Sequence, residues 1–431
     1  MRVVPRKPQR EGKSNRPSTY DDYRRVHAKP VRCMIQAVSH LWLPFTQMQS
    51  FDASTRTFVR GDGTSLHDAR GRRVFDAVSS IWTIIHGHSH PAIVDAIALQ
   101  AATLDHATTL GATNLPAEAL AHALCELAET DYAFFAGDGA SAVEAAIKMA
   151  LHYWQHAGEP QRTRFLRLVD AYHGDTAGAM SLSDIAVFKS RYGAVTFETR
   201  TYECVDDLEA PDVAAVIVEP IVQAAAGMRL VPPDRYLPLR TCTPLVIVDE
   251  IATGFGRTGT MFAFEQLGLR PDLICLGKGI SGGVLALSAV LARERIYHAF
   301  LGSPEERKQF FHGHSYAGNP IACAAALASL ELFALEGTFE RAGSIERIAA
   351  ERLETLRDHP DVRETRQAGT MIGIELHEAQ RAWPMADVLY ELGHFTRPIG
   401  ATVQLVPPLS SSDAVIHDFF DAFSAALERT R

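Results

Sequence analysis

The chain has 431 residues, a formal net charge of -9, 47% hydrophobic and 22% charged residues. That length exceeds what one small core fills, so two or three domains or one large multilayer domain are expected, and a peptide hormone or disulfide mini-protein is excluded. The acidic balance argues against a nucleic-acid scaffold, and no stretch reaches the roughly 20 apolar residues of a membrane span, so neither nucleic acid nor membrane is an expected partner.

Charge is uneven along the chain. Residues 1–36 carry ten Lys/Arg against three acids, a net of +7, which leaves -16 for the remainder. With Pro5, Pro8, Pro17 and Pro30 among those charges, the segment reads as a basic, disordered extension. An Arg-rich transit peptide is the alternative, and Met34 an alternative start. Six cysteines without a Cys-x-x-Cys pair suit the reduced thiols of a cytoplasmic protein.

From Phe58 to Ser80, short alternating runs broken by Gly61-Asp62-Gly63 and Gly71-Arg72 predict hairpins. Helical spacing follows Pro91 through Ile93, Ile97, Leu99 and Leu104, and Asn114 announces a second helix over about 116–129. Six β-rich runs come next, at 132–135, 165–169, 213–218, 245–248, 273–276 and 285–291, with helix-like or irregular segments between several of them. The economical reading is an α/β, largely parallel and doubly covered sheet. Helical character returns from Asn319 to Glu336 and from Phe339 to His359. The order strand, helix, strand, helix after Gly369 predicts a smaller α+β domain. The expected division is a 1–36 extension, a 37–90 N-terminal segment of the small domain, a 91–335 large cofactor-binding domain and a 336–431 C-terminal small domain.

The run Val246-Ile247-Val248 ends in Asp249-Glu250, at the sheet edge where open α/β proteins bind ligands. Downstream, Lys278 lies in Gly277-Lys278-Gly279-Ile280-Ser281-Gly282-Gly283, directly after another strand. Only seven lysines occur against 35 arginines. A lysine retained among glycines suits work that arginine cannot do, as a neutral amine that condenses with an aldehyde and later shuttles a proton. A pyridoxal phosphate enzyme needs four groups, and each has a candidate. Asp249 can hold the pyridinium N–H and Lys278 the aldehyde. Gly139 and Ala140, within Gly137–Ser141 ahead of a helix-like segment, can present N–H groups to the phosphate. Tyr172, in Tyr172-His173-Gly174-Asp175, can stack on the ring.

Gly137-x-Gly139-x-x-Ala142 with Asp170 beyond the next strand also passes for a dinucleotide fingerprint. A nicotinamide oxidoreductase, however, gives Lys278 and Asp249 no task. The clusters His86-Gly87-His88-Ser89-His90 and His312-Gly313-His314-Ser315 lack zinc-like spacing and acidic or Cys partners, so no metal is expected.

The stretch Val248–Gly259 together with Gly277-Lys278-Gly279 resembles the class III aminotransferases of the pyridoxal phosphate fold-type I group, from about residue 38 to the end. Further segments resemble the 7,8-diaminopelargonic acid synthases within that class: His40–Thr46, Ser79–Trp82, His86–His88, Lys148–Trp154, Tyr172–Thr176, Val222-Gln223, Thr396–Pro398 and Pro407-Pro408. The resemblance implies transamination of 8-amino-7-oxononanoate to 7,8-diaminononanoate in biotin biosynthesis. Another class III reaction, of the ornithine, 4-aminobutyrate or β-alanine type, is the alternative. It also implies a homodimer in which Ser315 reaches the phosphate of the partner's cofactor. Phe45, Trp82, Tyr172, Gly313 and Arg397 are the implied substrate-binding residues, with Arg397 on the substrate carboxylate. A planar guanidinium beside Pro398 is in itself a sound carboxylate receptor.

Departures from that pattern gather around the donor slot. Ile81 replaces a tryptophan and Phe45 a tyrosine of many members, Gly139-Ala140 stands for Gly-Ser, and Gln404 sits near where some carry a further tyrosine. The stretches 201–212 and 235–244 are shorter than usual. Leu43, Phe45, 311–316 and Leu409 resemble the branch that uses lysine as donor instead of S-adenosylmethionine, and lysine is the favoured expectation.

Overall fold

The structure, a computed structural model, describes residues 40–50 and 56–431. The expected basic extension lies outside them, as does Cys33. The described residues fall into two units, one holding residues up to 59 together with 68–71, the other 60–67 and 72–431. In the first, Met48–Ser50 form a single 3₁₀ turn and Trp42 is exposed.

The second unit is built on a seven-stranded sheet. Its strands are β1 (Tyr132–Ala136), β2 (Arg164–Arg167), β3 (Arg200–Thr201), β4 (Val213–Val218), β5 (Leu245–Asp249), β6 (Leu273–Leu276) and β7 (Ser288–Ala292), in the spatial order β1-β7-β6-β5-β4-β2-β3. Only β7 runs antiparallel to its neighbours. Every residue of β4, β5 and β6 is buried, which explains their near-continuous apolar sequences: a strand covered on both faces has no solvent side to mark with polar residues.

Helices cover the two faces. On one, α3 (Gly139–His156) packs its Ala-rich stripe on Leu245, Ile247, Leu273 and Val290. On the other, α1 (Pro91–Thr103), α2 (Leu115–Ala128) and α4 (Pro320–Leu335) pack together, with α2 and α4 contributing to a core that holds Val246, Val248 and Ile274. Because side chains alternate along a strand, Asp249 shares the α3 face with Leu245 and Ile247. The start of α2 follows its sequence signal, since the Asn114 side chain accepts the Ala117 N–H at 3.0 Å.

Beyond α4 a second core forms. A three-stranded antiparallel sheet of β8 (Val362–Ala368), β9 (Met371–Leu376) and β10 (Thr402–Leu405) is joined by α5 (Thr338–Leu356), α6 (Ala382–Glu391) and α7 (Asp413–Arg429). Strand β8 was not foreseen. Its sequence is mostly polar and its middle is partly exposed, as befits an edge strand. The residues after Gly63 form an antiparallel ladder, Leu66 opposite Val74, and Phe75 pairs in parallel with His394.

Among the described residues no single helix is long and apolar enough to cross a membrane. The bent pair α4–α5, which matches in length and composition, buries much of its surface in the two cores.

Candidate active site

The C-terminal ends of β1, β2, β4, β5 and β6 open onto one cavity of about 470 Å³. Lys278, Asp249, Tyr172, Gly139, Ala140 and Trp82 all line it. Asp249 ends β5, and Lys278 begins the turn two residues after β6, the parallel neighbour of β5, so the register carries both to the same edge.

Asp249 is buried and fixed at both oxygens. Oδ2 lies 2.7 Å from Nδ1 of His173, and Oδ1 accepts the Ile251 N–H at 3.0 Å. Glu250, next along, turns away from the cavity: its oxygens accept the Thr253 hydroxyl at 2.6 Å and the Phe264 N–H at 2.7 Å. Of the paired carboxylates, then, one serves the cavity and the other braces a loop.

Lys278 has a positive φ of 43 and sets its Nζ 4.5 Å from the ring centre of Trp82. Desolvation pulls its ammonium down to about 8, while Asp249 and Glu219 oppose that shift. A lysine so placed is partly neutral near physiological pH.

The head of α3 lines the cavity with Asp138, Gly139 and Ala140. Asp138 caps it, its side chain accepting the Ser141 N–H at 3.0 Å. The first helical N–H groups, those of Gly139 and Ala140, precede the intrahelical ladder, and both residues line the cavity. Backbone must come close here. A Cβ on Gly139 would stand 2.8 Å from Ile251 Cγ2, and one on Gly174, whose φ is 129, would stand 2.6 Å from Ala140 Cβ. Tyr172 flanks the cavity, its hydroxyl donating to Asp175 at 2.8 Å and its N–H to Glu219 at 3.1 Å.

Glu219 was not singled out in the sequence, although Val213–Val218 followed by Glu219 repeats the pattern of an apolar strand ending in a carboxylate. Burial first, and Asp249 second, push its carboxyl well above the usual range. A second negative charge beside Asp249 is thereby disfavoured. His173 was likewise read only as part of its motif.

Other expected site residues lie elsewhere. Arg397 precedes β10 with its guanidinium over the Trp383 ring at 5.9 Å, and no carboxylate of the described residues pairs with it. Gly313 and Ser315 are exposed and do not line the cavity of this chain. Phe45 belongs to the other unit and is exposed, with a φ of 51. No group of His, Cys, Asp or Glu among the described residues could hold a metal ion. In the histidine cluster His88 pairs with Asp76 at 2.9 Å and His90 with Glu336 at 3.0 Å.

Residues 49–427 match the family model of class III aminotransferases. The chain belongs to that family. The adenosylmethionine-8-amino-7-oxononanoate aminotransferase of Aquifex aeolicus is 40% identical over 90% of this chain and 95% of its own length. The crystal structure of the enzyme of the same name from Methanocaldococcus jannaschii matches with a TM-score of 0.86 and 36% identity, covering 90% of this chain and 97% of that one. An amine transaminase from an uncultivated Pseudomonas species, solved in its PLP-bound form, matches with a TM-score of 0.85 and 31% identity, over 92% of this chain and all of that one.

Proposed function

We propose that this class III aminotransferase uses pyridoxal phosphate to aminate 8-amino-7-oxononanoate to 7,8-diaminononanoate. The observation that carries the reading is the joint placement of Lys278 and the His173-held Asp249 in one cavity beside the head of α3. Identity of 40% over 90% of this chain to a relative named for that substrate supports the substrate choice.

The residues fit the cofactor. The α3 N-terminus, where Gly139 and Ala140 line the cavity, suits a phosphate, the buried carboxylate of Asp249 suits a protonated ring nitrogen, and Tyr172 flanks the ring. Bound there, pyridoxal phosphate supplies an aldehyde for the amine and a ring that takes up the charge left when the Cα proton departs. Lys278, partly neutral because it is desolvated, removes that proton and returns it on the other side of the transfer. Trp82, Ala225, Ile251 and Ala252 line the cavity and limit water around it. Arg397, without a carboxylate of its own, takes the substrate carboxylate.

The proposal includes a cytoplasmic homodimer. Exposed Leu110, Leu115 and Tyr316, with Gly313 near Leu110, support it, since large apolar side chains left to solvent are of the kind that subunit contacts cover. Ser315, exposed and next to Tyr316 in the chain, serves the partner's phosphate site.

The amino donor is S-adenosylmethionine or lysine. The relative's name supports the first; Ile81 and Phe45 in place of larger or hydroxylated aromatics support the second. Purified enzyme offered 8-amino-7-oxononanoate with each donor in turn decides between them by mass spectrometry of the product. Product with neither donor, alongside activity on ornithine or 4-aminobutyrate, would replace the substrate assignment.

A further inference from the structure

Four consecutive non-glycine residues, Ser79, Ser80, Ile81 and Trp82, have φ between 49 and 65. They form one turn of left-handed helix, closed by the Trp82 N–H to the Val78 carbonyl at 2.7 Å and the Thr83 N–H to the Ser79 carbonyl at 2.9 Å. L-residues resist this conformation, and a β-branched Ile81 resists it most. Surrounding groups must hold it. Ser79 Oγ donates to the Val406 carbonyl at 2.7 Å and Ser80 Oγ to Asp76 Oδ2 at 2.8 Å.

The turn delivers Trp82 to the cavity, and one contact fixes its ring. The indole Nε1–H donates to Gln404 Oε1 at 2.9 Å, and the other half of the same amide, Nε2, donates to the Arg397 carbonyl at 2.5 Å. Gln404 is buried on β10, and its own carbonyl accepts the Thr396 hydroxyl at 2.7 Å. One amide thus joins the cavity wall next to Lys278 to the backbone of the arginine.

We propose that Gln404 is a positioning residue that sets the indole plane of Trp82 and ties it to the Arg397 segment, so that the two ends of the substrate slot keep a fixed separation. An extended ω-amino keto acid, gripped at its carboxylate and reacting at a distant ketone, needs such a fixed span. A buried amide fits the role because it satisfies a donor and an acceptor at once, whereas an apolar residue would strand both. The substrate part of the inference rests on the proposed function; the Gln404–Trp82 link does not.

A double-mutant cycle tests it, with Gln404→Met removing both hydrogen bonds at similar volume and Trp82→Phe removing the indole N–H. In an otherwise unchanged enzyme, Gln404→Met is expected to raise KM for 8-amino-7-oxononanoate about tenfold with kcat within about threefold. In the Trp82→Phe background its effect should shrink to about threefold or less, because the partner is already gone. Additive effects would overturn the proposal. Near-UV circular dichroism of the cofactor-free variants supplies an activity-independent reading. Gln404→Met should change the tryptophan bands with Trp82 present and leave them unchanged in Trp82→Phe; equal changes in both backgrounds would also overturn it. Should Gln404→Met not fold, Gln404→Glu, which keeps an acceptor for the indole, is read in the same cycle, with near-native bands expected and bands lost as in Trp82→Phe contradicting the link. Turnover absent on this substrate with the spectral coupling intact would count against the function, not against the positioning role.

Discussion

His173 Nδ1 lies 2.7 Å from Asp249 Oδ2, and both groups are buried. The opposite ring nitrogen of His173 has no partner among the described residues. The imidazole therefore addresses Asp249 alone and fixes the direction of the carboxylate that faces the cavity. Asp249→Asn is expected to keep the fold and the bound cofactor while transamination falls by several orders of magnitude, since the charge that keeps the ring nitrogen protonated is gone. His173→Leu should cost less, roughly ten- to a hundredfold. Equal losses in the two variants would mean that the histidine touches the reaction itself.

Lys278 makes a pH-dependent prediction. With its ammonium drawn from 10.5 to about 8 by burial, about a quarter of the amine is neutral at pH 7.5, against about a thousandth for an ordinary lysine. The neutral form is the one that condenses with an aldehyde. The rate at which cofactor-free protein takes up pyridoxal phosphate covalently, followed by absorbance, should rise with pH and level off above about 8. A rise that continues to pH 10 would show that the lysine is not desolvated.

Much of this arrangement could be read in the sequence, and the reasons differ by element. The last helix of the expected strand, helix, strand, helix order is α7, Asp413–Arg429, because Ser412 caps it and a clear apolar stripe defines its length. The order of buried strands was visible because doubly covered strands are almost uniformly apolar. Strand β8 was hidden by its polar edge. The left-handed turn at 79–82 carries no glycine, so nothing local announces it; tertiary hydrogen bonds from Ser79 and Ser80 impose it. Glu219 stood in plain view after an apolar run, but a lone carboxylate there has no meaning until the fold sets it beside Asp249. The contact from Gln404 to Trp82 spans 322 residues and is beyond any local pattern.

His86 predicts an acid sensitivity apart from catalysis. Burial lowers its imidazole to about 4 from 6.5, so folding excludes a proton that the unfolded chain binds. Stability from this group is complete above pH 6.5 and is lost as pH falls through 6.5 toward 4. Between pH 7.5 and 5 the loss is about 2 kcal/mol. Urea unfolding at fixed protein concentration should show that loss, and His86→Leu should shrink it. An identical loss in the variant would assign the effect to other groups.

Ser315 predicts complementation between subunits. Chains carrying Lys278→Ala and chains carrying Ser315→Asp are each expected to be inactive as homodimers. If Ser315 serves the partner's site, a mixed dimer contains one site with native Lys278 and native Ser315, and unfolding then refolding the mixture should restore activity. No recovery, with mixed dimers shown by mass spectrometry, would place Ser315 in its own chain's site or in none.

The most direct measurement is the initial rate of 7,8-diaminononanoate formation from 8-amino-7-oxononanoate, with pyridoxal phosphate and saturating donor, by the native protein and by Lys278→Ala. We expect steady multiple turnover by the native protein and, by the folded variant, a rate at least about a thousandfold lower. Retention of a tenth or more of the native rate by Lys278→Ala, or no product from the native protein with either donor, would contradict the account.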